Sequence, residues 1–293
     1  MLSGFSQGLR YMAGAAFFFS LMSLLVRLAG EGGMPTMQVV LARSVVVLVI
    51  AWGLLRRQGT SPWGHSRGLL LLRGVVGFIS LACFYFALIH LPLAEATVIQ
   101  YTNPVWTALL AALLLAERIG WKEMAVSLAS LAGVVIMARP DFLFGAGVTS
   151  LPALPVAAGV FGAMVSGLAY VIVRRVARSE TPLVIVFWFA LVSLVGSVPF
   201  VVVDPVLPSL PVLVVLLGVG VTTYLGQILI TLGLQRERAG RAMAVAYLQV
   251  AFAALWGLLL LGEQPDRWTA LGATVILGCT WILGRMGRTS QVL

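Results

Sequence analysis

The chain has 293 residues, of which 60% are hydrophobic and only 10% charged, and its formal net charge is +9. A water-soluble protein of this length cannot clothe its surface with so few charges, and no hydrophilic block is long enough for a separate soluble domain, so the bilayer is the solvent for most of the chain. The positive charge does not indicate nucleic acid, because the basic residues stand singly or in pairs between apolar runs and form no basic face interleaved with aromatics.

A membrane-spanning helix needs about 20 apolar residues. Apolar runs of that size cover residues 10–28, 36–55, 68–89, 94–116, 121–138, 153–174, 183–203, 210–234, 240–262 and 267–284. The first follows a short stretch without a charged leader, so it is read as a retained span and not as a signal peptide. Most connections are short. The runs are too long for strands and lack apolar/polar alternation, which predicts an all-α membrane protein of ten transmembrane helices. Cys83 and Cys279 both lie inside apolar runs and form no CxxC pair, so neither a disulfide framework nor a zinc site is expected, and no cofactor is implied.

Lysine and arginine orient the bundle. With the N-terminus in the cytoplasm, one side collects Arg10, Arg56, Arg57, Arg67, Arg118, Lys122, Arg174, Arg175, Arg178, Arg236, Arg238, Arg241, Arg285 and Arg288. The other has only Arg27, Arg139 and Arg267. This bias places both termini in the cytoplasm, as an even span count requires.

The halves of the chain resemble each other. Val26-Arg27 followed by Pro35 recurs as Val173-Arg174 followed by Pro182. At nearly the same offset, Ala96, Tyr101 and the run Leu113-Leu114-Leu115-Ala116-Glu117 recur as Ala242, Tyr247 and Leu259-Leu260-Leu261-Gly262-Glu263. Residues 1–140 and 141–293 are thus read as two five-helix repeats. Five is odd, so the repeats enter the membrane from opposite sides, as in alternating-access transporters.

The segments Leu91-Pro92-Leu93-Ala94-Glu95-Ala96-Thr97, Asn103-Pro104, Leu114-Leu115-Ala116-Glu117-Arg118 and Gly133-Val134-Val135 resemble the EamA repeat of the drug/metabolite transporter superfamily. Leu260-Leu261-Gly262-Glu263 and Gly272 look like a diverged second copy, with Val250 where the first has Pro104. The resemblance covers nearly the whole chain. It implies two inverted five-helix repeats around a central cavity lined by the first, third, fourth, sixth, eighth and ninth helices. It also implies export of amino acids, as in the YddG branch of aromatic amino-acid exporters, or of nucleotide sugars, sugar phosphates or S-adenosylmethionine-like metabolites.

Charge at membrane depth is costly and marks candidate sites. Arg43 lies roughly 10 Å from the outer end of the second span at 1.5 Å per residue, and is expected to meet a substrate carboxylate or to hold a cavity carbonyl. Arg73, near the start of the third span, is expected to snorkel to the cytoplasmic interface. Glu95 is read as a helix-start residue. No Asp or Glu lies near the middle of a span, and His65 and His90 fall in loops, which predicts facilitated diffusion without obligatory proton coupling.

The remaining cavity candidates are uncharged. Thr97, Gln100, Tyr101, Asn103 and Pro104 cluster in the fourth span, where Pro104 is expected to free a carbonyl for a substrate ammonium. Tyr247 and Gln249 match them in the ninth span, and Tyr224 and Gln227 share a face of the eighth. Phe17, Phe78, Tyr85, Trp106 and Tyr170 offer stacking surface for bulky side chains. The competing reading of each is helix–helix hydrogen bonding or interfacial aromatic belting. Together they predict a carrier of small solutes, with zwitterionic amino acids favoured, aromatic and other large neutral ones first. The expected setting is a bacterial-type inner membrane, with lipid as the surrounding partner and the oligomeric state open. Nothing in the spans offers the nucleophile–base pair, metal cluster or carboxylate dyad of an intramembrane enzyme.

Overall fold

The computed structural model describes residues 6–91, 93–117, 120–138, 151–261 and 266–286, with the backbone alone described at 88, 89, 93–95 and 261. Arg118, Arg139, Glu263 and Arg288, counted above, lie outside these residues, as does the Glu95 side chain. The helices are α1 (Gln7–Glu31), α2 (Thr36–Arg57), α3 (Arg67–His90), α4 (Leu93–Gln100), α5 (Asn103–Leu115), α6 (Trp121–Ala138), α7 (Ala153–Val176), α8 (Pro182–Val203), α9 (Leu210–Arg236), α10 (Ala239–Ala244), α11 (Leu248–Leu261) and α12 (Arg267–Met286). A single 3₁₀ turn, Val245–Tyr247, joins α10 to α11.

Ten helices among the described residues are long and apolar enough to cross a membrane, and the chain is an all-α, multi-pass membrane protein. Polar residues mark where several spans begin. The Ser6 side chain accepts from the Leu9 amide, Thr181 accepts from Val184 ahead of Pro182, and Asp266 accepts from Thr269 N at 2.8 Å. These caps satisfy amides that have no partner within the helix.

The fourth and ninth spans are each interrupted. The fourth turns at Tyr101-Thr102 between α4 and α5, and Pro104 stands in the first turn of α5. Its missing N–H therefore falls where no intrahelical bond is due, in place of the mid-helix position the sequence suggested. The ninth tightens into its 3₁₀ turn at Tyr247, the residue matching Tyr101.

In the packing, the first span lies on the eighth, the third on the sixth, the second on the seventh and the fifth on the tenth. The first also meets the ninth and the sixth the fourth, while the third meets the seventh and the second the eighth. Exchanging each span for the one five later turns every pairing into itself or into another of this set. Small residues permit the close approaches. A Cβ on Gly162 would stand 2.8 Å from the Cys83 Cβ, and the Ser80 hydroxyl donates to Gly162 O at 3.0 Å across the same contact. Without water to displace, such backbone proximity is what holds spans together in lipid.

Large apolar side chains such as Leu113, Val195 and Val202 face outward, as lipid contact requires. Five of the described cation–ring stacks sit at span ends: Arg56 over Trp52, Lys122 over Trp121, Arg236 over Tyr11 and Arg285 over Trp281 at the arginine-rich end, and Arg267 over Trp268 at the opposite one.

Candidate transport site

A cavity of about 40 Å³ lies where the first, fourth, sixth, eighth and ninth spans meet. Tyr101, Asn103, Tyr170 and Gln249 line it, as do the apolar Met12, Ala15, Ala16 and Phe19 of α1, Ile230 of α9, and Met243 and Ala246 around the 3₁₀ turn. The two amides each present a donor and an acceptor, and the two phenol rings present stacking faces. The span breaks put them there: Tyr101 sits at the turn between α4 and α5, Asn103 opens α5, and Gln249 follows the turn at Tyr247. The volume holds only two or three waters, so a solute-sized site, about 300 Å³ or more, requires these spans to separate.

The other sequence candidates are not among the residues that line this cavity. The ring centroids of Tyr101 and Tyr247 are 6.3 Å apart, but Tyr247 is fully buried and its hydroxyl lies beside Ser127 of α6. The Gln100 side-chain oxygen is buried without a hydrogen-bond donor. Thr97, half-buried, gives its carbonyl to the Tyr101 amide at 2.9 Å. Gln227 is buried on α9, and Tyr224 packs against the cluster of Val47, Val186 and Ala190 as well as the main core. Phe17 joins an aromatic cluster with Phe252 and Trp256, whose indole donates to Ser20 at 2.9 Å. Phe78 packs on Gly196 and Trp106 on Gly167, and Tyr85 is buried beside Phe84. The first-span residues Met12, Ala15, Ala16 and Phe19 carried no sequence signal, since small and apolar side chains at helical spacing look the same whether they line a void or a neighbour.

Both intramembrane arginines are buried, Arg43 at 7% and Arg73 at 3% exposure. Arg73 does not snorkel. Its guanidinium turns inward over the Phe189 ring, 4.3 Å from the centroid, through the gap that Gly77 leaves on the same helix.

The arginine-rich end is fastened by an ionic network between the two halves of the chain. Arg174 donates from Nε to Glu117 Oε1 at 3.0 Å and from Nη1 to the carbonyls of Leu234 and Gln235 at 2.7 and 2.9 Å. The second Glu117 oxygen accepts from the Ala239 amide at 2.9 Å. Arg238 pairs with Glu123, Ser6 with Glu237, and Arg241 with Glu237 at 3.4 Å. Glu180 accepts from the amides of His65 and Ser66 at 2.6 and 2.5 Å. Ala116, at φ 53°, turns the chain left-handed just before Glu117. At the opposite end the Gln38 amide both donates to Val206 O and accepts from Val206 N, the latter at 3.0 Å. The partners of Glu117 on α7 and α10 lie far along the chain and left no local signal in the sequence. No cluster of three His, Cys, Asp or Glu side chains able to hold a metal occurs among the described residues.

Comparison with known proteins fits this architecture. The profile of the EamA-like transporter family matches twice, at residues 6–139 and 154–285. The pseudopaline exporter CntI of Pseudomonas aeruginosa is 30% identical over 272 residues, covering 92% of this chain and 93% of that one. Human solute carrier family 35 member G1 is 28% identical over 284 residues, 92% of this chain and 76% of that protein. A crystal structure with 19% identity superposes over 97% of this chain and 98% of the other with a TM-score of 0.85, which establishes the shared fold.

Proposed function

Because the chain belongs to the EamA-like transporter family, we propose that it is a secondary transporter that exports amino acids, aromatic and other large neutral ones first, by alternating access. The observation that carries this reading is the small amide- and phenol-lined cavity at the meeting of five spans, closed off at one end by ion pairs between the halves. Amides and phenols suit a zwitterion with a bulky side chain, whose opposite charges need both donors and acceptors.

On this reading the two halves are inverted five-helix repeats that rock about the cavity. The double profile match and the exchangeable packing of the spans support it. The arginine-rich end is the cytoplasmic one, where both termini lie, in a bacterial-type inner membrane. Loading from the cytoplasm then requires Glu117 to part from Arg174 and the Ala239 amide, so that α10 swings away from α5. The described acidic residues Glu31, Glu117, Glu123, Glu180, Asp204, Glu237 and Asp266 all stand at or beyond span ends. With no carboxylate at depth among them to carry a proton, flux runs down the solute gradient without obligatory proton coupling.

The test is uptake of a labelled amino-acid panel into proteoliposomes, with and without a pH gradient. Saturable flux of large neutral amino acids, indifferent to the pH gradient, is expected. Folded protein that carries no amino acid overturns the substrate assignment, and accumulation driven by the pH gradient alone overturns the coupling. The similarity to a pseudopaline exporter favours one further reading, a larger organic metabolite, which the same vesicles read by counterflow.

A further inference from the structure

Two arginines of the protein are held in contrasting ways. Arg174, half-buried, is fully provided for, with one carboxylate and two helix-end carbonyls, as a structural cation away from bulk water must be. Arg73 is not. It sits on α3 at 3% exposure, its Nε and Nη1 have no hydrogen-bond acceptor, and no carboxylate among the described residues pairs with it. The Phe189 ring meets the guanidinium carbon at 4.3 Å. A ring face offsets part of the charge, but it accepts none of the in-plane N–H groups, and those edges are what a carboxylate engages with two parallel bonds.

The position is also built. A Cβ on Gly77 would fall 2.2 Å from Arg73 Nη1 and 2.8 Å from the Phe189 ring, so the missing side chain is what lets the guanidinium lie inward. Tyr170, within electrostatic reach of Arg73, lines the cavity. The cation therefore stands one side chain behind the transport site, with Nε and Nη1 free and, among the described residues, no carboxylate paired with it.

We propose that Arg73 is the carboxylate-binding residue of the transport path, pairing with an anionic group of the solute that reaches it past Tyr170 as the spans separate. The proposal rests on the transport reading above and adds to it that the solute is recognised by its carboxylate. Stability alone does not account for the residue, because an unpaired buried charge costs more than an apolar side chain of the same size.

The test compares 3-phenylpropionate with 3-phenylpropionamide, which share a shape and differ in charge. In detergent-purified protein, the carboxylate is expected to raise Tm and the amide is not, since only the first binds the folded state through Arg73. Arg73→Met should be at least as heat-stable as wild type without ligand and lose the response, whereas Arg73→Lys should retain part of it. In proteoliposomes carrying labelled phenylalanine, the carboxylate should compete about tenfold more strongly than the amide, in keeping with a charge-assisted pair, and this preference should vanish in Arg73→Met.

Equal effects of the two probes on wild-type protein overturn the proposal, whether or not any variant folds. So does a carboxylate preference that survives in a folded Arg73→Met. A wild-type Tm response lost in Arg73→Met, in protein that carries no amino acid, leaves the anion site standing and removes the amino-acid assignment instead.

Discussion

The fourth and ninth spans break at matching tyrosines, yet their two ends are built differently. At the arginine-rich end, α10 lies against α5. Gly240 is so close to Ala108 that a Cβ there would stand 2.9 Å from the Ala108 Cβ, and Glu117 fastens the start of α10 through the Ala239 amide. At the other end, among the described residues, the corresponding helices α4 and α11 share no comparable packing. Among these residues one end of the span pair is packed shut and the other is not. On the proposed alternating-access reading, transport exchanges these two conditions, so the free energy of the shut end sets how often the path opens to the cytoplasm. Little of that energy is apolar, because hydrocarbon is as good a solvent for leucine as another helix. It resides in half-buried ion pairs and in small residues that let backbones touch.

The strongest way to break the contrast is at Glu117. Glu117→Gln leaves Arg174 and the Ala239 amide poorly matched, a loss of about 2–3 kcal/mol for half-buried charged contacts. That corresponds to a roughly 30- to 150-fold shift toward opening at the arginine-rich end. It is read as faster labelling of a cysteine placed at Ala111, from that side of the membrane, in a background lacking Cys83 and Cys279; an unchanged rate would show that this carboxylate does not hold the end shut. Gly240→Val should act in the same direction and less strongly, by about 1–2 kcal/mol of overpacking against Ala108, with the same labelling assay as readout.

At the opposite end, Gln38→Ala removes the reciprocal bonds to Val206. Its expected cost is about 1 kcal/mol, a fall in Tm of about 2–4 °C, with labelling at Ala111 unaltered. The smallest effect sharpens the difference between the two tyrosines. Tyr101→Phe should raise the KM of a carried amino acid about threefold through loss of one cavity hydroxyl. Tyr247→Phe, whose hydroxyl is sealed beside Ser127, should leave KM unchanged.

All ten spans were legible in the sequence to within a few residues, because the length of an apolar run is a property of consecutive residues and the bilayer fixes the length required. The interruption at Tyr101-Thr102 was only half legible. Pro104 signalled a disturbance, but whether a proline kinks a helix or starts one depends on the residues before it, here Thr102, whose hydroxyl turns back onto Ile99 O at 2.6 Å. Tyr101, Asn103 and Gln249, which line the cavity, stood out in the sequence because polar side chains in the middle of a span need a reason to be there. Tyr224, spaced from Gln227 so as to share a face, packs on the cluster of the second and seventh spans as well as on the main core. Arg73 was misread as snorkelling, since its fate rests on Gly77 and Phe189 together, and Phe189 belongs to a helix more than a hundred residues away.

The cation–ring stacks have a consequence for the membrane the protein can work in. Four of those described grip one interface, through Trp52, Trp121, Tyr11 and Trp281, and one grips the other, through Trp268. Indole and guanidinium prefer the headgroup level, so the height of the protein is pegged where the peg is strongest. A thicker or thinner bilayer then moves its far surface relative to the helices and leaves its near surface in place. On the proposed alternating-access reading, the mismatch then falls on the end of the fourth and ninth spans away from the Glu117 contacts, and acyl-chain length becomes a control on the carrier's resting shape, exerted by lipid alone.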